Sequence, residues 1–432
     1  MEHSSTSLPQ YADLAPQKTR RLSALTWIPT LYFAQGLPFF VVMTISVLMY
    51  KQLGVPNEEI TRWTGALGFA WVFKPLWSPL LEAYDSKKKI VVFFQAVAAA
   101  ALAACALLIQ TPGFFLTTIA CMAVLALASA THDIACDGLY IASLDKTAQA
   151  QYSGWLGAFF NGAKLVAVGG MPVLAGMLEG MIGVKAAWTA IFALLAGGMA
   201  LLALYHSFAL PDTRTRQAGA TAESGVPLLE ILSSFFSKRG VWLMIAFIIL
   251  FRLGEGQIAT VSQLFLLDKT EAGGLGLKTE QLGMIYGVAG TITFILGSIA
   301  GGYFAAALGL KRALLPLIIA MNLPNLAFWY LASAQPQSQI IITAALAVEM
   351  FGFGFGFVGL MLYMMQVVAP GPYPTAHYAL ATGVMQLGLS LSRIISGDIQ
   401  KWLGYQHFFL WALLAAIPVI ALSFFLDLPE KE

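Results

Sequence analysis

The feature that most constrains this chain is a recurrence of long apolar blocks, at approximately 24–50, 62–84, 90–110, 113–141, 151–178, 186–207, 240–268, 280–308, 313–333, 339–367, 377–400 and 404–427. Each is long enough to cross about 30 Å of hydrocarbon as an α-helix. In that medium every backbone N–H and C=O must be satisfied within the chain. Continuous apolar runs meet the demand as helices, whereas a barrel needs short alternating segments. The blocks therefore predict an all-α membrane protein with twelve spans. Composition agrees, since 58% of the 432 residues are hydrophobic and 11% charged, against roughly 25% charged in an ordinary soluble domain. A net charge of +2, without a basic stripe, excludes a nucleic-acid partner. Cys105, Cys121 and Cys136 have neither metal-site nor disulfide spacing. No cofactor, metal centre or nucleophile–base constellation is expected, and the chain does not read as an enzyme.

Residues 1–17 are polar and do not read as a cleavable leader, and Lys18, Arg20 and Arg21 directly precede the first block. With the N-terminus placed in the cytoplasm, the inner segments carry 14 Lys and Arg and the outer ones 6, while Lys74, Lys164, Arg252 and Arg393 fall inside blocks. That bias predicts an inner-membrane, multi-pass protein with both termini cytoplasmic. The polar stretch from Pro211 to Glu230 separates the sixth block from the seventh. The expected organisation is a cytoplasmic tail (1–23), a six-helix bundle (24–207), a cytoplasmic linker (208–239), a second six-helix bundle (240–427) and a short cytoplasmic tail (428–432). Basic loops recur at matching places, YDSKKK after the second block and GLKR after the eighth. Parallel repeats of this kind predict the major facilitator type of fold, two bundles around a central cavity. Each such bundle pair forms its own pathway, so a monomer surrounded by membrane lipid is expected.

The charges inside the apolar blocks carry the functional reading. Asp133 and Asp137 stand four positions apart in SATHDIACDG, on one helical face. Carboxylates at that depth need water, a cation or a proton, and two close together repel, which is the physics of a proton-coupling pair. They equally suit a helix-end gate near the following basic loop. His132 is a candidate relay or a packed hydrogen-bonding residue. Arg252 and Glu255, three apart in FRLGEGQ, read as an intrahelical pair or as a site for a substrate carboxylate. Lys164, with Asn161 a turn earlier, and Arg393 supply further cations, and Glu349 is an isolated acid with a possible coupling role. Gln35 ahead of Pro38, and Asn325, complete the candidate binding set. The cations imply an anionic or zwitterionic small-molecule partner, with protons as the coupling ion.

YFAQGLP (32–38), FAWVFKPLWSPLLEAY (69–84), SATHDIACDG (129–138) and GSIAGGYFAAALGLKRALL (297–315) together resemble the muropeptide permeases of the AmpG type, in the peptide, acetyl-CoA and proton symporter group of the major facilitator superfamily. The resemblance implies proton-driven import of anhydromuropeptides across the bacterial inner membrane during cell-wall recycling. It also implies that Asp133 and Asp137 are the functional acids, and that Lys74, Pro75, Trp77, Ser78 and Pro79 belong to the intracellular gate. Within that resemblance the loop after the second block matches a divergent gate motif, with Glu82 or Asp85 as its acid and Lys87 heading its basic cluster. Lys311 and Arg312 match its second-half counterpart. The chain departs from the family pattern at His132, where a glutamine is expected, and at Gly138 and Leu139, where a bulky aromatic is expected. Acetyl-CoA and iron–siderophore carriers lie within the same resemblance. A proton-coupled exporter of the same fold and a non-transporting membrane receptor are the competing readings.

Overall fold

The computed structural model describes residues 24–82, 86–144, 146–212 and 228–428. The expected tail 1–23, all but Leu428 of the C-terminal tail, most of the linker, Asp85 and the side chain of Glu82 lie outside the described residues. Among the described residues all regular structure is helical, as the demand for internal backbone pairing requires. Among the described residues, ten helices are long and apolar enough to cross a membrane: Ala24–Gln52, Lys87–Leu108, Phe114–Ser143, Trp155–Ile182, Val184–Ala209, Val241–Leu267, Thr279–Leu308, Leu310–Ala334, Gln339–Val368 and Ala376–Ser423.

The count differs from twelve at two places, each with a local cause. The block at 62–84 is built from Asn57–Leu67, of 11 residues, and Phe69–Glu82, of 14, which meet at Gly68. A Cβ on Gly68 would stand 2.1 Å from Ser390 Oγ, so a larger residue here would require the serine side chain of the later half to move. The last two expected blocks run together within Ala376–Ser423. The helix there is interrupted at Gly404, whose φ of 69° and ψ of 169° lie outside helical space.

Residues before and after the polar stretch pack largely among themselves and meet along two crossings. Asn57–Leu67 lies on Pro374–Leu414, and the π-helical Leu165–Gly170 lies on the π-helical Gly283–Ala289. The second crossing is close because Gly287 faces Val168 O, where a Cβ would stand only 2.1 Å away. Within the later part, the run GFGFGFVG presents Gly354 to Phe294 on one neighbouring helix, and Gly352 and Gly356 to Ala320 and Leu317 on another. Small residues substitute for hydrophobic driving force in a lipid environment by letting helix backbones approach.

Gly297 and Phe351 O form another such contact between Thr279–Leu308 and Gln339–Val368, with a Cβ again 2.1 Å from the carbonyl. Gly297→Ala must push the helices apart. A loss of about 1–3 kcal/mol is expected, read as a lowered melting temperature of the purified protein in detergent. An unchanged melt would show that the two helices are not held at this separation.

Candidate functional site

Three groups of polar residues emerge from these helices. The first is built on Phe114–Ser143, Ala24–Phe40 and Phe69–Glu82. Gln35 Nε2 and Lys74 Nζ both donate to the Asp133 carboxylate. The side chains of Lys74 and Asp133 keep 27% and 18% of their exposure, so the pair is only partly buried. One turn on, Asp137 accepts a hydrogen bond from Tyr32 Oη at 3.2 Å, and Tyr32 is braced edge-on by Tyr140. Asp137 itself is exposed. The i, i+4 spacing thus places both carboxylates toward the first helix, but only Asp133 has a direct cation.

His132, the neighbour of Asp133, is rotated away by about 100° of helix. Its ring takes part in a buried chain in which Gln95 Nε2 lies 2.9 Å from His132 Nε2, Gln95 Oε1 lies 3.0 Å from His206 Nδ1, and His206 Nε2 lies 3.0 Å from Thr30 Oγ1. Cys136 Sγ is 3.4 Å from His132 Nδ1. This geometry ties four helices together and gives His132 partners other than the two aspartates.

The second group lies mostly in the later part of the chain and includes Lys164, Asn161 and the Met43 carbonyl from the earlier part. Arg252 NH1 and Glu255 Oε2 are 2.6 Å apart, within a single turn, and the Arg252 guanidinium lies over the Phe357 and Phe353 rings at 5.3 and 6.0 Å. Lys164 Nζ stands 4.5 Å from the centre of the Phe294 ring. Glu349 is 3% exposed and its Oε2 has no hydrogen-bond partner; Asn325 Nδ2 is likewise buried and unbonded. Arg393 reaches across to the first helix, where its NH2 donates to Met43 O at 2.8 Å. Met43 lies in the π-helical Val41–Ile45 that follows Pro38. Asn161 is satisfied locally, donating to Gly157 O at 2.9 Å.

The residues expected at a gate are spread out. Pro75 lies within Phe69–Glu82 beside Lys74, and its carbonyl accepts from Ser78 Oγ at 3.3 Å. Lys87 Nζ donates to Leu81 O at 2.6 Å, which closes the turn between two helices, and its stem packs on Gly138. Lys311 and Arg312 are exposed in the first turn of Leu310–Asn322.

The third group was not anticipated from the sequence. Lys51 and Asp268 pair at 2.5 Å across the two parts of the chain. Asn57 Nδ2 lies 3.0 Å from Asp268 Oδ2, 3.2 Å from Gln400 Oε1 and 2.9 Å from Tyr405 Oη; Tyr405 also donates to Asp268. Lys401 pairs with Glu58 at 2.5 Å and Arg62 with Asp398 at 2.9 Å. A cavity of about 710 Å³ opens here, lined by Lys51, Asn57, Glu58, Asp268, Lys401 and Tyr405 among others. The hydrogen bond from Lys401 holds the Glu58 carboxyl below the usual glutamate range. Its contribution to the seam is therefore present above the ordinary glutamate pKa and is lost as pH falls through the lowered value. These residues lie at helix ends, where the sequence has no signal to distinguish a cross-bundle partner from a solvated loop charge.

A helical membrane fold with buried charge pairs between helices, and a polar seam joining its two parts, defines a class of polytopic carriers. The Major Facilitator Superfamily profile matches residues 30–397, and the chain belongs to that superfamily. An anhydromuropeptide permease of Escherichia coli (strain K12) is 26% identical over 408 residues, covering 90% of this chain and 77% of the permease. A putative transporter, AmpG 4, of Rickettsia felis is 22% identical over 403 residues, covering 91% of this chain and 94% of its own. The fold is similar to the crystal structures of the nucleoside transporter NupG, with a TM-score of 0.70 and 16% identity over 93% of this chain and 98% of that one, and of a D-xylose–proton symporter, with a TM-score of 0.69 and 10% identity over 94% and 98%. These matches are transporters, and the chain is a multi-pass permease related to the anhydromuropeptide permeases, not an enzyme.

Two outcomes follow from the site geometry. Lys74→Met strands the Asp133 carboxylate and is expected to cost about 2 kcal/mol, seen as a lower melting temperature, with Lys74→Met/Asp133→Asn recovering at least half of the loss. An additive double variant would show that the pair is not coupled. Asp268→Asn removes the charge that holds Lys51, and labelling by an impermeant maleimide of a cysteine introduced at Val55, a buried residue of the cavity lining, is expected to rise severalfold. Equal labelling in both proteins would show that the seam is held by other contacts.

Proposed function

We propose that this chain is a proton-coupled importer of the bacterial inner membrane, with anhydromuropeptides released from peptidoglycan as its cargo. The observation that carries the reading is Asp133, held between Lys74 and Gln35 with Asp137 one turn away. A carboxylate with a cation on one side and a second carboxylate beside it has two low-energy states. It is ionised while Lys74 is close and protonated when that cation moves. The relatives named anhydromuropeptide permease and AmpG supply the cargo.

In this reading the chain makes twelve crossings in two six-helix bundles, 24–207 and 240–427. The helices meeting at Gly68 count as one crossing and the stretch interrupted at Gly404 as two. Unbroken, that 48-residue stretch would run about 70 Å, more than twice the hydrocarbon thickness. Both termini lie in the cytoplasm, the linker 208–239 joins the bundles there, and the protein works as a monomer. The seam of Lys51, Asp268, Glu58 and Lys401 then closes the outer face, and the partly exposed Lys74–Asp133 pair faces inward. Lys74, Pro75, Glu82, Asp85, Lys87, Lys311 and Arg312 form the inner gate.

Cargo enters when the outer seam parts, and its anionic group is met by Arg252, Lys164 and Arg393, with Gln35, Asn161 and Asn325 as polar partners. Protonation of Asp133 or Asp137 removes the repulsion between them and permits the loaded carrier to turn inward. Loss of the proton to the cytoplasm restores the Lys74 pair. A membrane potential of 100 mV adds about 2.3 kcal/mol per charge moved, enough for useful accumulation.

Counterflow and gradient-driven uptake of radiolabelled anhydromuropeptide in proteoliposomes test the reading, with iron–siderophore and acetyl-CoA as controls. Saturable uptake that collapses with the proton gradient is expected, and Asp133→Asn is expected to lose at least about tenfold of the driven uptake while retaining counterflow. Uptake of a control solute in place of the muropeptide would move the cargo assignment. Driven uptake that survives Asp133→Asn unchanged would remove Asp133 from the coupling step.

A further inference from the structure

Lys164 is the last residue of the Lys146–Lys164 helix, directly before the π-helical Leu165–Gly170, and it belongs to the earlier part of the chain. Its ammonium projects onto Phe294 of the later part at 4.5 Å. The carboxylates whose charge it feels are Glu349 and Glu255, yet it makes a direct ion pair with neither. Glu255 is already engaged by Arg252 at 2.6 Å and also faces Arg393. Glu349 faces Glu255, Lys164 and Tyr286, is 3% exposed, and leaves Oε2 without a hydrogen bond. A buried acid with an unbonded oxygen and a half-buried ammonium that rests on a ring therefore stand near each other, on opposite sides of the junction between the two parts.

A charge left unpaired at this depth is costly, and the cost is removed by an opposite charge or by a proton. Glu349 has access to both remedies. Lys164 can neutralise it, or a proton can. An anion on the cargo competes with Glu349 for the same ammonium. The aromatic face of Phe294 is an intermediate resting place, since a ring quadrupole holds an ammonium without neutralising it.

We propose that Lys164 is shared between Glu349 and an anionic group of the cargo, a carboxylate being the chemistry that fits, so that cargo binding forces a proton onto Glu349. The exchange balances. The Lys164 ammonium leaves the field of the Glu349 carboxylate and pairs with the cargo carboxylate. Glu349 then takes one proton from a hydronium ion of the bulk, leaving water, and its O–H becomes a donor. One cargo anion thus brings one proton. Because Lys164 comes from one part of the chain and Glu349 from the other, the exchange also changes the charge across the junction at the moment the site fills. This inference rests on the transport reading above, but it places a second coupling element apart from Asp133.

The test is infrared difference spectroscopy of the protein in lipid nanodiscs over a pH series from neutral to alkaline, following the C=O stretch of protonated carboxyl groups and assigning the Glu349 component by its loss in Glu349→Gln. Addition of anhydromuropeptide to the wild type is expected to raise that component. Lys164→Gln is expected to show it already raised without cargo, to gain no more on addition, and to bind on the order of 30-fold more weakly. Lys164→Arg, which keeps the charge, preserves the cargo-dependent rise and controls for folding. A cargo-free Lys164→Gln spectrum identical to the wild type overturns the proposal, as does wild-type cargo binding that leaves the Glu349 band unmoved. Wild-type protein that binds no anhydromuropeptide, with the Lys164→Gln rise present, refutes the cargo assignment of the preceding subsection while the Lys164–Glu349 linkage stands on that rise.

Discussion

An ionised side chain inside a membrane is stable only with a partner, and the arrangement of helices in this protein follows its charges as much as its apolar surface. Asp133 can remain on the Phe114–Ser143 helix because Lys74 from Phe69–Glu82 and Gln35 from Ala24–Phe40 converge on it. Arg252 can remain because Glu255 lies one turn away and two phenylalanine rings cover its guanidinium. Arg393 donates to the backbone carbonyl of Met43, in the π-helical segment after Pro38, and lies in the field of Glu255. Each solution draws on a different device: an ion pair between helices, an ion pair within a turn, and an irregular backbone beside a buried donor. All three avoid the several kcal/mol that an orphaned charge costs in low dielectric.

Satisfying charges across helices requires the helices to be close, and glycine makes that possible. The contacts of Gly68 with Ser390 and of Gly287 with Val168 bring the earlier and later parts together at two crossings. Close backbone packing of this kind is stiff across the contact but has no interlocked side chains to resist sliding. The polar seam from Lys51 to Tyr405 then closes one end of the same junction with ion pairs and hydrogen bonds. The more exposed of these pairs, at Lys401 and Arg62, are individually weak, which suits a closure that must part and reform.

The sequence was informative wherever one residue type at one spacing has few physical explanations. Asp133 and Asp137 at i and i+4 in an apolar run had to share a face, and they do turn toward the first helix, where Gln35 and Tyr32 receive them. Arg252 and Glu255 at i and i+3 form the intrahelical pair weighed from their spacing. His132 was open to either of two roles, and the structure gives it Gln95 and Cys136 as partners, because adjacent residues on a helix point about 100° apart. The glycine run at 352–359 could have served bending or packing; its alternate members contact two different helices. Gln95, His206 and Asn57 were invisible, since a glutamine, histidine or asparagine has no local pattern that names a partner tens or hundreds of residues away.

By itself the sequence determined that the backbone is helical and membrane-embedded, because hydrocarbon permits no other fate for such long apolar runs. It also determined which charges lie inside the apolar runs and therefore need an explanation. Only the tertiary structure decided who their partners are. Lys74 and Asp133 are 59 positions apart, and Lys51 and Asp268 lie in different parts of the chain; spacing along a helix cannot encode a contact between helices. The breaks at Gly68 and Gly404 were likewise settled in three dimensions. A glycine in an apolar run is compatible with a continuous helix, a close crossing or a turn, and the choice among them depends on what the rest of the chain brings against it.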